Sequence, residues 1–291
     1  MYGYCGDTTA HCGPGCQSGP CLQAPAIPGP DAKPAPVNAE PGSFMQVGRS
    51  GVPAMHAALM PNGRVVFLDK VEDYTELNLT DDRRAYSSGD NPETNEAVPL
   101  AYTTNAFCAG GSFVLNGTLL SVGGNAPLSW LDPSVTNGFR GLRYLTRSAV
   151  DGSLNGNDWQ EAADIKLDTA RWYPSVQTMP DGTLLVASGS LNGKDFATTS
   201  NNNPTYEILS PDGITEGESI PMSILVENEP YYMYPFLHLL KDGTLFVFVS
   251  RVGEVFDVGS NSTVRRLPEL VSEARGGFEW NGVELTRNTA W

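Results

Sequence analysis

Along most of the chain the apolar positions fall in short β-rich runs separated by turn signals, and helical periodicity is weak throughout. Four segments share one grammar, a β-rich run, a tight turn and a second β-rich run: Met55 to Leu68 around Asn62-Gly63, Phe107 to Val122 around Asn116-Gly117, Tyr173 to Ala187 around Asp181-Gly182, and Phe236 to Val249 around Asp242-Gly243. Asn-Gly and Asp-Gly suit the left-handed dihedrals of a type I′ turn, so each segment predicts a β-hairpin. The turns lie 54, 65 and 61 residues apart. Hairpins at such intervals predict the blades of a β-propeller, the kelch period being about 50 residues. Gly123-Gly124 after the second hairpin strengthens this, and Ser188-Gly189 is a weaker echo. A β-sandwich with coincidental spacing is the alternative. Four repeats in residues 43–291 account for about four blades and part of a fifth.

Composition narrows the class. Of 291 residues, 40% are hydrophobic, enough for a core, and Gly (31) and Pro (22) suit a turn-rich β protein. A net charge of −15 argues against nucleic acid and anionic membrane surfaces as partners, since both attract basic faces. No apolar run reaches the roughly 18–20 residues of a transmembrane helix, and no basic-then-apolar signal sequence follows Met1.

The five cysteines are unevenly placed. Cys5, Cys12, Cys16 and Cys21 crowd residues 1–21 among Gly, Pro and Ser, which reads as a disulfide scaffold and an oxidising, extracellular setting; a metal knuckle is the alternative. Tyr2-Gly3-Tyr4-Cys5-Gly6 and His11-Cys12-Gly13-Pro14-Gly15-Cys16-Gln17-Ser18-Gly19-Pro20-Cys21 resemble the second half of a hevein-type chitin-binding module. That resemblance implies N-acetylglucosamine rings stacked on Tyr2, Tyr4 and His11, and a Cys16–Cys21 bridge, with the partners of Cys5 and Cys12 upstream of Met1. Residues 22–42 carry six prolines and predict an extended spacer, or equally a disordered tail.

Candidate chemistry lies in the second and third hairpins. Cys108 opens one inner strand, in Asn105-Ala106-Phe107-Cys108-Ala109-Gly110-Gly111, and Tyr173 holds the same phase of the next, in Ala170-Arg171-Trp172-Tyr173-Pro174-Ser175. Equivalent phases of successive blades face one end of a propeller, so the two can be neighbours. Taken singly, Cys108 also reads as a buried free thiol and Tyr173 as a core aromatic.

Phe-Cys-Ala-Gly-Gly, Ala-Arg-Trp-Tyr-Pro-Ser and Tyr234-Pro235-Phe236-Leu237-His238-Leu239-Leu240, in that order, resemble the copper radical oxidases, above all their glyoxal oxidase branch. The resemblance runs from about residue 44 onward. It implies a seven-bladed kelch propeller, a thioether between Cys108 and Tyr173, and Tyr173 as a copper ligand and radical site. It further implies oxidation of small aldehydes or α-hydroxycarbonyls by O2 to acids and H2O2. The family's two histidine ligands and axial tyrosine come from later blades and a C-terminal domain. No matching motif occurs by Trp291, so the chain reads as an N-terminal fragment expected to make little or no H2O2. His56 and His238 read as packed histidines rather than copper ligands, and Arg171 as a residue that orients its turn or pairs with a carboxylate. Where galactose oxidase stacks an aromatic over its crosslink, this chain has Leu191, so the shield must come from elsewhere; Trp172 is adjacent but not assigned that role. The alternative function is a non-catalytic, carbohydrate-binding propeller.

Overall fold

The computed structural model describes residues 44–146, 159–193, 195 and 198–270. Met1–Val47 and Gly48–Trp291 are separate units, and every strand and helix described belongs to the second. The expected disulfides, the chitin-binding residues Tyr2, Tyr4 and His11, and the expected part of a fifth blade all fall outside the described residues.

Among the described residues the chain is nearly all β, built as four antiparallel sheets in sequence order. The first holds β1 (His56–Leu59), β2 (Val65–Leu68), β3 (Ser87–Asn91) and β4 (Glu96–Leu100). The second holds β5 (Gly110–Phe113), β6 (Leu119–Val122) and β7 (Leu142–Leu145), with Gln160 bridging to Tyr144 as the start of a fourth position. The third holds β8 (Ser175–Thr178), β9 (Leu184–Ala187), β10 (Thr205–Leu209) and β11 (Ile220–Pro221). A short helix, α1 (Ser223–Glu227), then leads to β12 (Phe236–Leu239), β13 (Leu245–Val249), β14 (Val252–Asp257) and β15 (Ser262–Arg266) of the fourth. Every neighbour in a sheet is a neighbour in sequence, the plain meander of a propeller-like fold.

The four expected hairpins are present, each as the first two strands of its sheet. Their turns are not type I′. In each, only the glycine has a positive φ (Gly63 78°, Gly117 83°, Gly182 87°, Gly243 86°), while the preceding Asn or Asp does not. The loops are therefore three-residue connections that close on a left-handed glycine. What the Asx residue supplies is a side-chain acceptor: the Oδ1 atoms of Asn62, Asn116, Asp181 and Asp242 take the backbone N–H of Arg64, Thr118, Thr183 and Thr244. Ser188-Gly189 (φ 75° and 122°) does repeat the backbone of Gly123-Gly124 (74° and 140°).

The sheets stack face to face, and alternate residues of one strand feed different cores. Leu184 and Val186 of β9 pack with Leu120, Val122 and Leu142 of the second sheet, whereas Leu185 and Ala187 pack with Leu237, Leu245 and Val247 of the fourth. That two-sided burial explains why β6 and β9 are buried at every position and apolar almost throughout. β2, in the first sheet, instead alternates buried and half-buried residues. The first and second sheets meet less tightly around a half-open cavity of about 450 Å³, bordered by His56, Leu68, Gly111, Ser121 and Trp159.

Candidate active site

Cys108, Tyr173 and Tyr234 each sit two residues before the first strand of their sheet, and all three are left-handed, with φ of 57°, 70° and 49°. Non-glycine residues there cost roughly 1–3 kcal/mol each, so the surrounding structure must hold them. It does so by a backbone relay. The N–H of Tyr173 donates to the carbonyl of Cys108 (3.0 Å), and the N–H of Tyr234 donates to the carbonyl of Tyr173 (3.1 Å). The two residues singled out by phase, Cys108 and Tyr173, are thus brought together. Cys108 is fully buried, while Tyr173 and Tyr234 are partly buried in the same cluster.

Two glycines let the loops approach this closely. A Cβ on Gly110 would stand 2.6 Å from the carbonyl oxygen of Pro174, and one on Gly123 would stand 2.3 Å from that of Arg171. A side chain at Gly110 would push the Cys108 and Tyr173 loops apart, and one at Gly123 would push the Arg171 segment off the end of β6.

Two buried arginines fix the segments leading in. Arg171 has no exposed side-chain surface and spends its five donor bonds on the Glu207 carboxylate (2.7 Å), the Ser188 and Thr205 carbonyls, and the Thr205 and Ser219 hydroxyls. Burial lowers its pKa, and Glu207 opposes that shift. The expected structural role of Arg171 is the one observed. Arg143 does the same one sheet earlier, donating to the carbonyls of Thr104, Asn105 and Gly123.

Aromatic packing completes the site. The ring of Trp172 stacks on that of Tyr173 with centroids 3.9 Å apart and planes 14° apart. The Tyr234 ring lies 4.6 Å from Tyr173 at 31°. Such pairs contribute about 0.5–1.5 kcal/mol each beyond their area. Trp172, not assigned a stacking role from sequence, occupies that position against Tyr173, while Leu191 is 37% exposed. The Tyr234 hydroxyl donates to the carbonyl of Ala109 (2.9 Å), and desolvation, then the Cys108 and Tyr173 groups, hold its pKa well above the ordinary phenol value.

Sequence reasoning misses Tyr234 as a site residue, although a signal exists. Cys108, Tyr173 and Tyr234 all stand eight residues before the Asx of their turn, and Tyr-Pro recurs at 173 and 234. The histidines are placed elsewhere. His56 lies on β1 at the cavity wall, where burial lowers its pKa, and His238 pairs across the hairpin with Phe246, ring to ring at 6.3 Å. No group of three His, Cys, Asp or Glu able to hold a metal occurs among the described residues.

The propeller-like sheets thus bring a buried cysteine and a stacked tyrosine into backbone contact. The chain matches the family described as glyoxal oxidase N-terminus over residues 55–278 and belongs to it. It is 27% identical to the aldehyde oxidase GLOX of Vitis pseudoreticulata over 249 residues, 79% of this chain and 42% of the relative. Identity to aldehyde oxidase GLOX1 of Arabidopsis thaliana is 29% over 247 residues, 78% of this chain and 35% of the relative. The chain thus spans well under half the length of these relatives. A solved fungal alcohol oxidase of the AA5 family, in complex with copper, overlaps 77% of this chain and 66% of its own at a TM-score of 0.36 and 12% identity.

Proposed function

We propose that this chain carries the radical-forming part of an aldehyde-oxidising copper radical oxidase, with Cys108 and Tyr173 joined by a thioether. The observation that carries this reading is the Tyr173-to-Cys108 backbone bond, which holds the two loops together in a protein of the glyoxal oxidase family. Substrates would be small aldehydes or α-hydroxycarbonyls; two electrons and two protons leave the hydrated substrate and reduce O2 to H2O2. Tyr173 offers one phenolate donor, but the described residues do not by themselves form a copper site, so further donors would have to lie outside them. Secretion, and N-acetylglucosamine binding by residues 1–21, belong to the same reading and are supported by sequence alone.

Forming the thioether removes the thiol hydrogen of Cys108 and one ring hydrogen of Tyr173, and O2 accepts both electrons and protons. Copper-loaded protein exposed to O2 should therefore yield a linked Cys108/Tyr173 peptide pair two hydrogens lighter than the separate peptides. Two unlinked peptides from folded protein overturn the reading. Where a peroxidase-coupled assay detects peroxide from small aldehydes, Cys108→Ala and Tyr173→Phe should abolish it.

A further inference from the structure

Tyr234 has a geometry that simple core packing does not require. Its backbone is left-handed, its N–H is bonded to Tyr173, its ring lies 4.6 Å from the Tyr173 ring, and its hydroxyl reaches past the third sheet to Ala109, the residue after Cys108. One side chain thereby ties the fourth sheet to the loop of the second across the tyrosine of the third. We propose that Tyr234 is a positioning residue for Tyr173: its ring covers the oxidisable phenol, and its hydroxyl anchor fixes the rotation of that phenol relative to the Cys108 loop. The inference rests on the reading of Cys108 and Tyr173 as a redox pair. It assigns Tyr234 no electron or proton in the reaction, because its hydroxyl proton is already committed to the Ala109 carbonyl.

Three features converge on this role. The ring of Tyr173 has Trp172 against it at 3.9 Å and Tyr234 at 4.6 Å, and Trp172 is itself fully buried, so its ring is fixed by the core. Tyr234 is the partner that comes from a different sheet, which makes it sensitive to how the third and fourth sheets dock. Its anchor, the Ala109 carbonyl, belongs to the loop whose backbone also receives Tyr173, so ring and loop are referenced to one frame.

The test uses the full 291-residue chain and a one-electron inorganic oxidant, hexachloroiridate(IV), which converts a tyrosine to its phenoxyl radical with loss of one electron and one proton. Electron paramagnetic resonance reads the radical's lifetime, and its β-methylene hyperfine splitting reports the ring's rotation about Cβ–Cγ. Tyr173→Phe identifies the part of the signal that belongs to Tyr173. Tyr234→Leu should shorten the lifetime of that signal by about tenfold, in line with loss of one aromatic contact, and change its splitting. Tyr234→Phe, which keeps the ring and loses only the anchor, should retain the lifetime and still change the splitting. If Tyr234→Leu folds with the wild-type lifetime and splitting, the proposal is overturned. If it does not fold, an unchanged splitting in Tyr234→Phe overturns it instead. A wild-type chain without any Tyr173-dependent signal overturns it as well. The mass of the Cys108/Tyr173 peptides from fully reduced wild-type chain, in which disulfides are opened and a thioether is not, separately reports whether the thioether has formed, so failure of the redox-pair reading is distinguishable from failure of this one.

Discussion

Single residues carry most of the strain and most of the buried charge. Asp69, directly after β2, is 2% exposed, and no side chain among the described residues hydrogen-bonds its carboxylate. Burial pushes its pKa up from 3.8 to about 7; the Lys70 backbone bond and charge oppose the shift, and Glu72 adds to it. Tyr102 faces it too, donating its hydroxyl to the Asp69 backbone carbonyl. The folded state therefore keeps a proton on Asp69 that the unfolded chain releases, and stability falls as pH rises from about 4 to about 7. Asp69→Asn should leave stability near pH 4 almost unchanged and raise the melting temperature at pH 8. A variant no more stable than wild type at pH 8 would contradict this. His56, whose pKa burial lowers, acts in the opposite direction, losing stability as pH falls, so the difference between wild type and variant isolates Asp69.

Elements are legible in the sequence to different depths. All four hairpins can be read because Asx-Gly fixes the place of a turn, and the flanking apolar residues fix the strands. The turn type cannot, because Asn-Gly and Asp-Gly fit two hairpin geometries, and the choice rests on the backbone of the Asx residue, which its letter does not specify. The outer strands β3 and β4 carry Ser, Gly, Asp, Asn and Pro and have little β signal of their own. They are strands because β2 offers them a ladder. For Arg171 the sequence suggests a carboxylate partner but not its position, since 36 residues separate it from Glu207. Breaking that pair strands a buried charge beneath the Trp172-Tyr173 loop. Glu207→Gln should cost about 3–5 kcal/mol in denaturant unfolding, and a loss below 1 kcal/mol would show that the remaining acceptors of Arg171 suffice.

At the scale of the whole molecule, each turn rests on the one before it. A Cβ on Gly182 would lie 2.4 Å from Leu115 in the turn of the second sheet, and one on Gly117 would lie 3.0 Å from Pro61 in the turn of the first. Gly63, in the first sheet, has nothing within 4 Å. Alanine at Gly63 should therefore cost only the left-handed backbone, about 1 kcal/mol. Gly182→Ala must in addition turn the exposed Leu115 side chain aside and should cost slightly more, as read by chemical denaturation of both variants. Equal losses would mean that the turns do not stack. This arrangement cannot be read from the chain, because the residues in contact are about 60 positions apart and neither is distinctive.

The relay from Cys108 to Tyr173 to Tyr234 also has a direction in time. Each sheet is made from one contiguous stretch, so a chain emerging from its N-terminus can complete them one after another. The cysteine and first tyrosine can meet once the third sheet docks, while the second tyrosine is still to be made. The two partners of the proposed sulfur–ring bond would thus already be paired by their backbones when the fourth sheet settles over them.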